Sequence, residues 1–121
     1  MKFKILAGIN ILDLPNIYYD FKNKLLYDNL IKLNRKEKYI ETKNFEIKII
    51  KDGNRNELRK EVEKIKYDVI YGFNKIESEY LYSIGISKHS IAKEKKNKNL
   101  LDFVNYLNEG IFNESIKDEV K

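Results

Sequence analysis

The sequence predicts an α/β protein, a three-layer sandwich around a mixed five-stranded sheet. Three observations carry this. Residues Tyr67–Phe112 read as strand, helix, strand, helix, with each boundary marked by its own glycine or capping residue. An apolar run at Phe3–Ile9 opens the chain. A second, alternating run at Phe45–Ile50 leads into a charged amphipathic stretch. Apolar strands flanked by amphipathic helices bury their sheet between helical layers. Strand–helix–strand crossovers within one sheet are right-handed.

Phe3–Ile9 is a buried central strand. Asn10–Asn16, which holds the single proline Pro15, reads as a loop. Ile17–Phe21 and Leu25–Leu33 flank Lys22-Asn23-Lys24 and read as a hairpin at the antiparallel edge. Tyr18 and Tyr19 then face opposite sides of it. Leu25, Leu26, Leu30 and Leu33 fit a helix equally well, so 24–44 stays open between strand, helix and loop. Asn34–Asn44 is polar and reads as a connection or a ragged strand extension. Phe45–Ile50 is a half-buried strand, ended by Lys51-Asp52-Gly53, where glycine supplies a positive φ at low steric cost.

Asn54 precedes Glu57 by three residues, an Asn-x-x-Glu analogue of the capping box. The helix it starts buries Leu58, Val62 and Ile65 and turns its charges outward. Val69–Tyr71 is the next strand. Gly72-Phe73 turns the chain into a helix capped by Asn74, with Ile76, Tyr80, Leu81 and Ile84 inward and Gly85 at its end. Ile86–Lys93 carries a short strand, and Lys93–Lys98 is a basic loop. Asn99 caps the last helix, which faces Leu100, Leu101, Val104 and Leu107 inward and stops at Gly110. Residues 1–112 form a single α/β domain, and 113–121 a frayed C-terminal tail.

At 121 residues the chain supports one core. It has no apolar run of about 18 residues, as a membrane span requires. Its first residues read as a strand of a cytoplasmic protein rather than a signal peptide. The absence of cysteine excludes disulfides, thiol catalysis and cysteine-ligated metal within this sequence. The one histidine, His89, is only a remote metal candidate.

The net charge of +5 is local: residues 22–51 hold nine Lys/Arg against four Asp/Glu, and the remainder is balanced. Tyr18, Tyr19, Lys22, Lys24, Tyr27 and Arg35 interleave charge with aromatic rings. Such a set suits stacking on single-stranded nucleic acid, a protein partner or a homodimer contact. Arg35 is the only arginine in the stretch, which weighs against specific phosphate or base recognition.

No catalytic constellation emerges, and the expected class is non-enzymatic. The first strand holds no carboxylate of the kind a two-metal nuclease needs, since Asp13 and Asp68 fall outside the strands. Ser87 and His89 share a strand face, but nothing orders a triad. Gly8, Asn10, Gly72 and Asn74 form the ligand-binding candidate. They fall at the carboxyl ends of two central strands, where open α/β sheets bind ligands. The helix starting near Asn74 would present free N–H groups there to an anion.

Asp68, Val69, Ile70, Gly72, Asn74, Leu81, Gly85, Ile86 and Gly110 make the pattern strand–Gly–x–Asn–helix–Leu–x–x–x–Gly–Ile–strand–helix–Gly. This pattern resembles the dinitrogenase iron-molybdenum cofactor biosynthesis family, whose members have a ribonuclease H-like fold. The resemblance covers about the last 45 residues of the domain, and the first half only in layout. It implies a binding or carrier module with a cleft at the strand ends and, as cargo, a metal cluster. The His-Phe-Gly motif of many members is replaced by Leu14-Pro15-Asn16-Ile17, and the usual His and Cys ligands are missing. The function expected is therefore a carrier with a degenerate ligand site for a small ligand or metallocluster. The alternative is a regulatory protein- or nucleic-acid-binding module using residues 18–51.

Overall fold

The computed structural model describes residues 2–72, 79–81, 83, 85, 91–92 and 99–120. The strands are β1 (Phe3–Ile9), β2 (Leu30–Asn34), β3 (Tyr39–Thr42), β4 (Phe45–Lys51), β5 (Val69–Tyr71) and β6 (Ile91–Ala92). The helices are α1 (Leu14–Asn23, after a short 3-10 turn at Ile11–Asp13), α2 (Arg55–Lys64) and α3 (Leu100–Val120). Residues 79–81 and 83 are also helical.

The sheet is mixed, as expected, with the order β2-β3-β4-β1-β5-β6. Five strands have three or more residues and β6 has two. β1 pairs in parallel with β4 on one side and β5 on the other, and β5 pairs in parallel with β6. β3 runs antiparallel to β4, and β2 antiparallel to β3.

Two apolar clusters define the layers. Ile5, Ala7 and Ile9 of β1 and Phe45, Ile47 and Ile49 of β4 face α1 and α3, meeting Ile17, Phe21, Leu100 and Val104. Leu6, Ile50 and Ile70 face the opposite way and meet Leu58 of α2 and Leu81. The period of two along β1 and β4 thus feeds both faces of the sheet. This is the three-layer α/β sandwich that the sequence predicts.

The antiparallel edge exists, but other residues build it. Ile17–Phe21 is not a strand; it lies within α1. Leu14, Ile17, Tyr18 and Phe21 are buried at i, i+3, i+4 and i+7, one helical stripe. Pro15 sits in the first turn, where its missing N–H costs nothing. Tyr18 and Tyr19 are therefore neighbours on a helix, one buried and one exposed, rather than on opposite faces of a strand. The hairpin is β2–β3, turned by Asn34, whose Oδ1 accepts from Glu37 N (3.0 Å), and by Lys38 with φ 52. The expected connection at 34–44 thus contains β3.

Two of the predicted caps form as read. Asn54 Oδ1 accepts from Glu57 N (3.1 Å) while Asn54 Nδ2 donates to Glu57 Oε2 (3.2 Å). Asn99 Oδ1 accepts from Asp102 N (2.9 Å). Ile65 departs from its expected place in the α2 stripe: it is the extended residue that ends the helix. The last helix does not stop at Gly110 but continues to Val120. Gly110 has open space around it, so its small size is not required by packing, and helical backbone passes through it at a propensity cost of about 1 kcal/mol. Gly85 follows the helical residues with φ 93, the left-handed conformation of a helix-ending glycine. The expected cap at Asn74 and most of the Ile86–Lys93 strand, with His89 and Ser87, lie outside the described residues.

Asparagines tie α3 to the rest. Asn105 Oδ1 accepts from Leu26 N (2.8 Å), and Asn44 Nδ2 donates to the Oδ1 of buried Asn108 (3.0 Å). Among the described residues no helix is long and apolar enough to cross a membrane.

Candidate functional site

The parallel strands alone run β4-β1-β5-β6. From β1 the chain passes through α1 and the β2–β3 hairpin to β4 on one side. From β4 it returns through α2 to β5 on the other side. The connections after β1 and β5 therefore leave in opposite directions and part the chain between these two strands. This is a topological switch point, where open α/β sheets leave a crevice at the carboxyl ends.

A cleft of about 410 Å³ opens there. Its floor is the end of β1, Gly8 and Ile9, beside the end of β5, Tyr71 and Gly72. The ring of Tyr71 is stacked on Phe103 of α3 (4.8 Å, interplanar 12°), which fixes that side of the floor. One wall comes from Asn10 and Asp13 and from Asn16, Ile17 and Asp20 of α1. Asp52 enters from the end of β4, and Asn99 and Leu100 from the start of α3.

The floor depends on the close approach of Gly72 to the backbone of Gly8. Gly72 has φ 84, and a Cβ built on it would lie 2.4 Å from the carbonyl oxygen of Gly8. The left-handed conformation and the backbone contact both require glycine. The loop is held further by Asp52 N donating to Ile9 O (3.1 Å) and Asp13 N donating to Asn10 O (2.9 Å). Asn10 Oδ1 is occupied by Leu12 N (3.0 Å), and Asn99 Oδ1 caps α3. Asp20 pairs with Lys24 at 3.5 Å. The carboxylates of Asp13 and Asp52 make no hydrogen bond or ion pair with the described residues.

Gly8, Asn10 and Gly72 of the ligand-binding candidate thus line one cleft, and Asn74 lies outside the described residues. Sequence reasoning missed Asp13, Asn16, Asp20, Asp52 and Asn99 as members of it. Asp52 carries no sequence signal of its own, because it reaches the cleft only through the parallel pairing of β4 with β1. A helix start at Leu14-Pro15 brings the face of α1 to the same place.

The basic, tyrosine-rich set does not present all of its rings to solvent. Tyr18 is buried, with the Arg35 guanidinium over its ring at 5.4 Å. Burial pushes the Tyr18 hydroxyl pKa up, and Arg35 partly opposes this. Tyr19 and Lys22 are exposed on α1. Tyr27, with φ 59, stacks on Phe112 of α3 at 4.6 Å.

The face of the sheet opposite α1 holds a second depression, of about 240 Å³, where Tyr39, Glu46, Lys48 and Tyr67 meet. The Tyr39 hydroxyl lies against Glu46 (3.2 Å) and Glu41 (3.3 Å), and Glu41 pairs with Lys2. Burial, then the Glu46 and Glu41 carboxylates, push the Tyr39 pKa up to about 12. Burial, with the hydrogen bond to Glu61, raises Tyr67 further in the same direction. These contacts satisfy one another and knit β3, β4 and α2 together.

A sign follows for alkaline stability. A hydroxyl whose pKa rises on folding, here from 10.0 to about 12, supports the fold below pH 10 and loses that support as pH climbs through 12. Tyr39→Phe is expected to flatten the fall in melting temperature between pH 10 and 12. Absorbance of tyrosinate in the same titration checks it; an unchanged slope in the variant sinks the assignment.

A metal cluster finds no donor set among the described residues. The chain has no cysteine and one histidine, and among the described residues no three His, Cys, Asp or Glu side chains stand where they could hold a metal ion. No known protein family matches the sequence, and no curated protein or solved structure is detectably similar to it.

Proposed function

We propose that this protein is a non-enzymatic module that binds or carries a small ligand in the cleft between the ends of β1 and β5. The observation that supports it is the Gly8–Gly72 backbone contact. It flattens the floor of a crevice that lies at the switch point of the sheet and has a volume within the usual range for small-molecule sites. Turn chemistry alone accounts for a glycine at 72. It does not account for two carboxylates with no partner among the described residues and an amide, Asp13, Asp52 and Asn16, lining the same space.

The resemblance to the nitrogenase-cofactor family extends the reading to a carrier of that type with a ribonuclease H-like frame. Its support is confined to the second half: Asp68–Ile70, Gly72, Leu81 and Gly85. There Asp68 Oδ2 accepts from Lys4 N at 2.7 Å, a structural clasp of β5 to β1 at the sheet end away from the cleft. Against it stands α1, which follows β1 where the family layout has a hairpin. The cluster itself is left out of the proposal, because the donor set does not fit it. The reading of residues 18–51 as a nucleic-acid or partner surface is weaker, with Tyr18 buried and Tyr27 already stacked.

The test is thermal-shift screening of the full chain against a panel of small metabolites, beside the variant Asn16→Trp. Residue 16 is exposed on α1 and lines the cleft, so the indole fills the space without entering the core. Ligands that raise the melting temperature of the parent but not of the variant are expected. A panel in which every stabilising compound acts equally on both proteins puts binding elsewhere and removes the proposal.

A further inference from the structure

The side chains around the cleft also constrain what it takes, and this step rests on the reading above. Three are carboxylates, Asp13, Asp20 and Asp52, and three are carboxamides, Asn10, Asn16 and Asn99. No lysine or arginine is among the described residues that line it, although the chain as a whole carries +5. A carboxylate only accepts hydrogen bonds, and a carboxamide donates as well as accepts. Asn10 and Asn99 spend their side-chain oxygens on Leu12 N and Asp102 N. The side-chain donors of the described lining are the three amide NH₂ groups and the Tyr71 hydroxyl, against three carboxylates, of which Asp13 and Asp52 have no partner among the described residues. The lining is therefore rich in acceptors.

The electrostatic balance points the same way. The starts of α1 and α3 both adjoin the cleft, and each helix N-terminus carries an effective charge of about +0.5. Two such termini offset about one carboxylate. Lys24, at 3.5 Å, offsets part of Asp20. Asp13 and Asp52 remain, so the charge balance of the described lining residues is negative.

We infer that the cleft binds a small, donor-rich ligand without negative charge, recognised through a vicinal diol or an ammonium group, and that it discriminates against anions. Two hydroxyls of a sugar ring, or one ammonium group, supply the donors that Asp13 and Asp52 lack. Ile9, Ile17 and Leu100 give the rest of such a molecule an apolar wall. This reverses the expectation of an anion held by helix N–H groups at the same strand ends. A phosphate brought here without a counter-ion meets like charges, and the repulsion opposes its binding even where solvent screens part of it.

The experiment is an amide-spectrum titration of the ¹⁵N-labelled full chain in metal-free buffer. The probes are adenosine, 2′,3′-dideoxyadenosine, adenosine 5′-monophosphate and spermidine. Adenosine or spermidine is expected to shift the amides of Gly8, Asn10 and Gly72, with the monophosphate at least about tenfold weaker than adenosine. A dideoxy compound weaker than adenosine assigns recognition to the diol; binding by spermidine alone assigns it to the ammonium. The double variant Asp13→Asn, Asp52→Asn is expected to narrow the preference over the monophosphate while retaining the parent's spectrum elsewhere. Monophosphate binding as tight as adenosine, or a preference unmoved by the double variant, overturns the ligand class and leaves the cleft reading standing. No shift at these amides with any probe overturns the ligand class; if no compound in the thermal-shift panel depends on residue 16 either, the cleft reading falls with it.

Discussion

Gly72→Ala is expected to destabilise the protein by about 2–4 kcal/mol, a fall in melting temperature of roughly 8–15 °C for a chain of this length. Two costs combine. The left-handed φ of 84 is unfavourable for alanine by about 1–2 kcal/mol. The new methyl would also lie 2.4 Å from Gly8 O, and that atom belongs to the central strand. β1 cannot move aside easily, because it is hydrogen-bonded on both edges, to β4 and to β5. Gly53→Ala is the internal control. Gly53 has φ 80, nearly the same conformation, but nothing lies within 4 Å of the place a methyl would take. It should cost about 1–2 kcal/mol, the conformational part alone. The difference between the two variants in chemical denaturation isolates the backbone contact. Equal costs would mean that β5 slides away from β1 without penalty, and the floor of the cleft would then not be a fixed surface.

The parts of this fold that are legible in the sequence are those written in local chemistry. Asn54 and Asn99 each precede a helix and accept from the amide three residues on, and both are readable because a cap depends on a few neighbouring residues. β1, β4 and β5 are readable from apolar residues of strand length. The strand order is not, because it is a property of pairing. Nothing in Phe45–Lys51 announces that it lies parallel to Phe3–Ile9, in register from Phe3 opposite Phe45 to Ile9 opposite Lys51. That pairing brings Asp52 to the cleft. Asp13 and Asp52 are far apart in sequence and meet only through it, while Asn99 arrives with the start of α3. The stop expected at Gly110 fails for a different reason. Glycine ends a helix where the chain must turn left-handed, and at 110 the chain has no reason to turn. Residues 14–21 mislead locally: two tyrosines and a phenylalanine favour a strand by composition, while the buried residues recur at helical spacing.

That local conflict leads to the second large effect. Phe21→Ala is expected to cost about 3–5 kcal/mol, while Tyr19→Ala should stay within about 0.5 kcal/mol of the parent. Phe21 is fully buried against the α1-facing side of the sheet, among Ile5, Ile47 and Val104 of the same cluster. Removing a ring from close-packed surroundings loses both transfer free energy and the contacts of the cavity walls. Tyr19 is 59% exposed and makes no contribution to that cluster. The pair also separates the two structures that this segment could adopt. In a strand, residues 19 and 21 point to the same face, so both substitutions would cost alike. On a helix they stand about 200° apart around the axis, so one must be buried when the other is not. Urea denaturation of the two variants therefore reports secondary structure as well as packing. Similar losses in both would restore the hairpin, and would remove α1 and with it the wall of the cleft that carries Asn16 and Asp20.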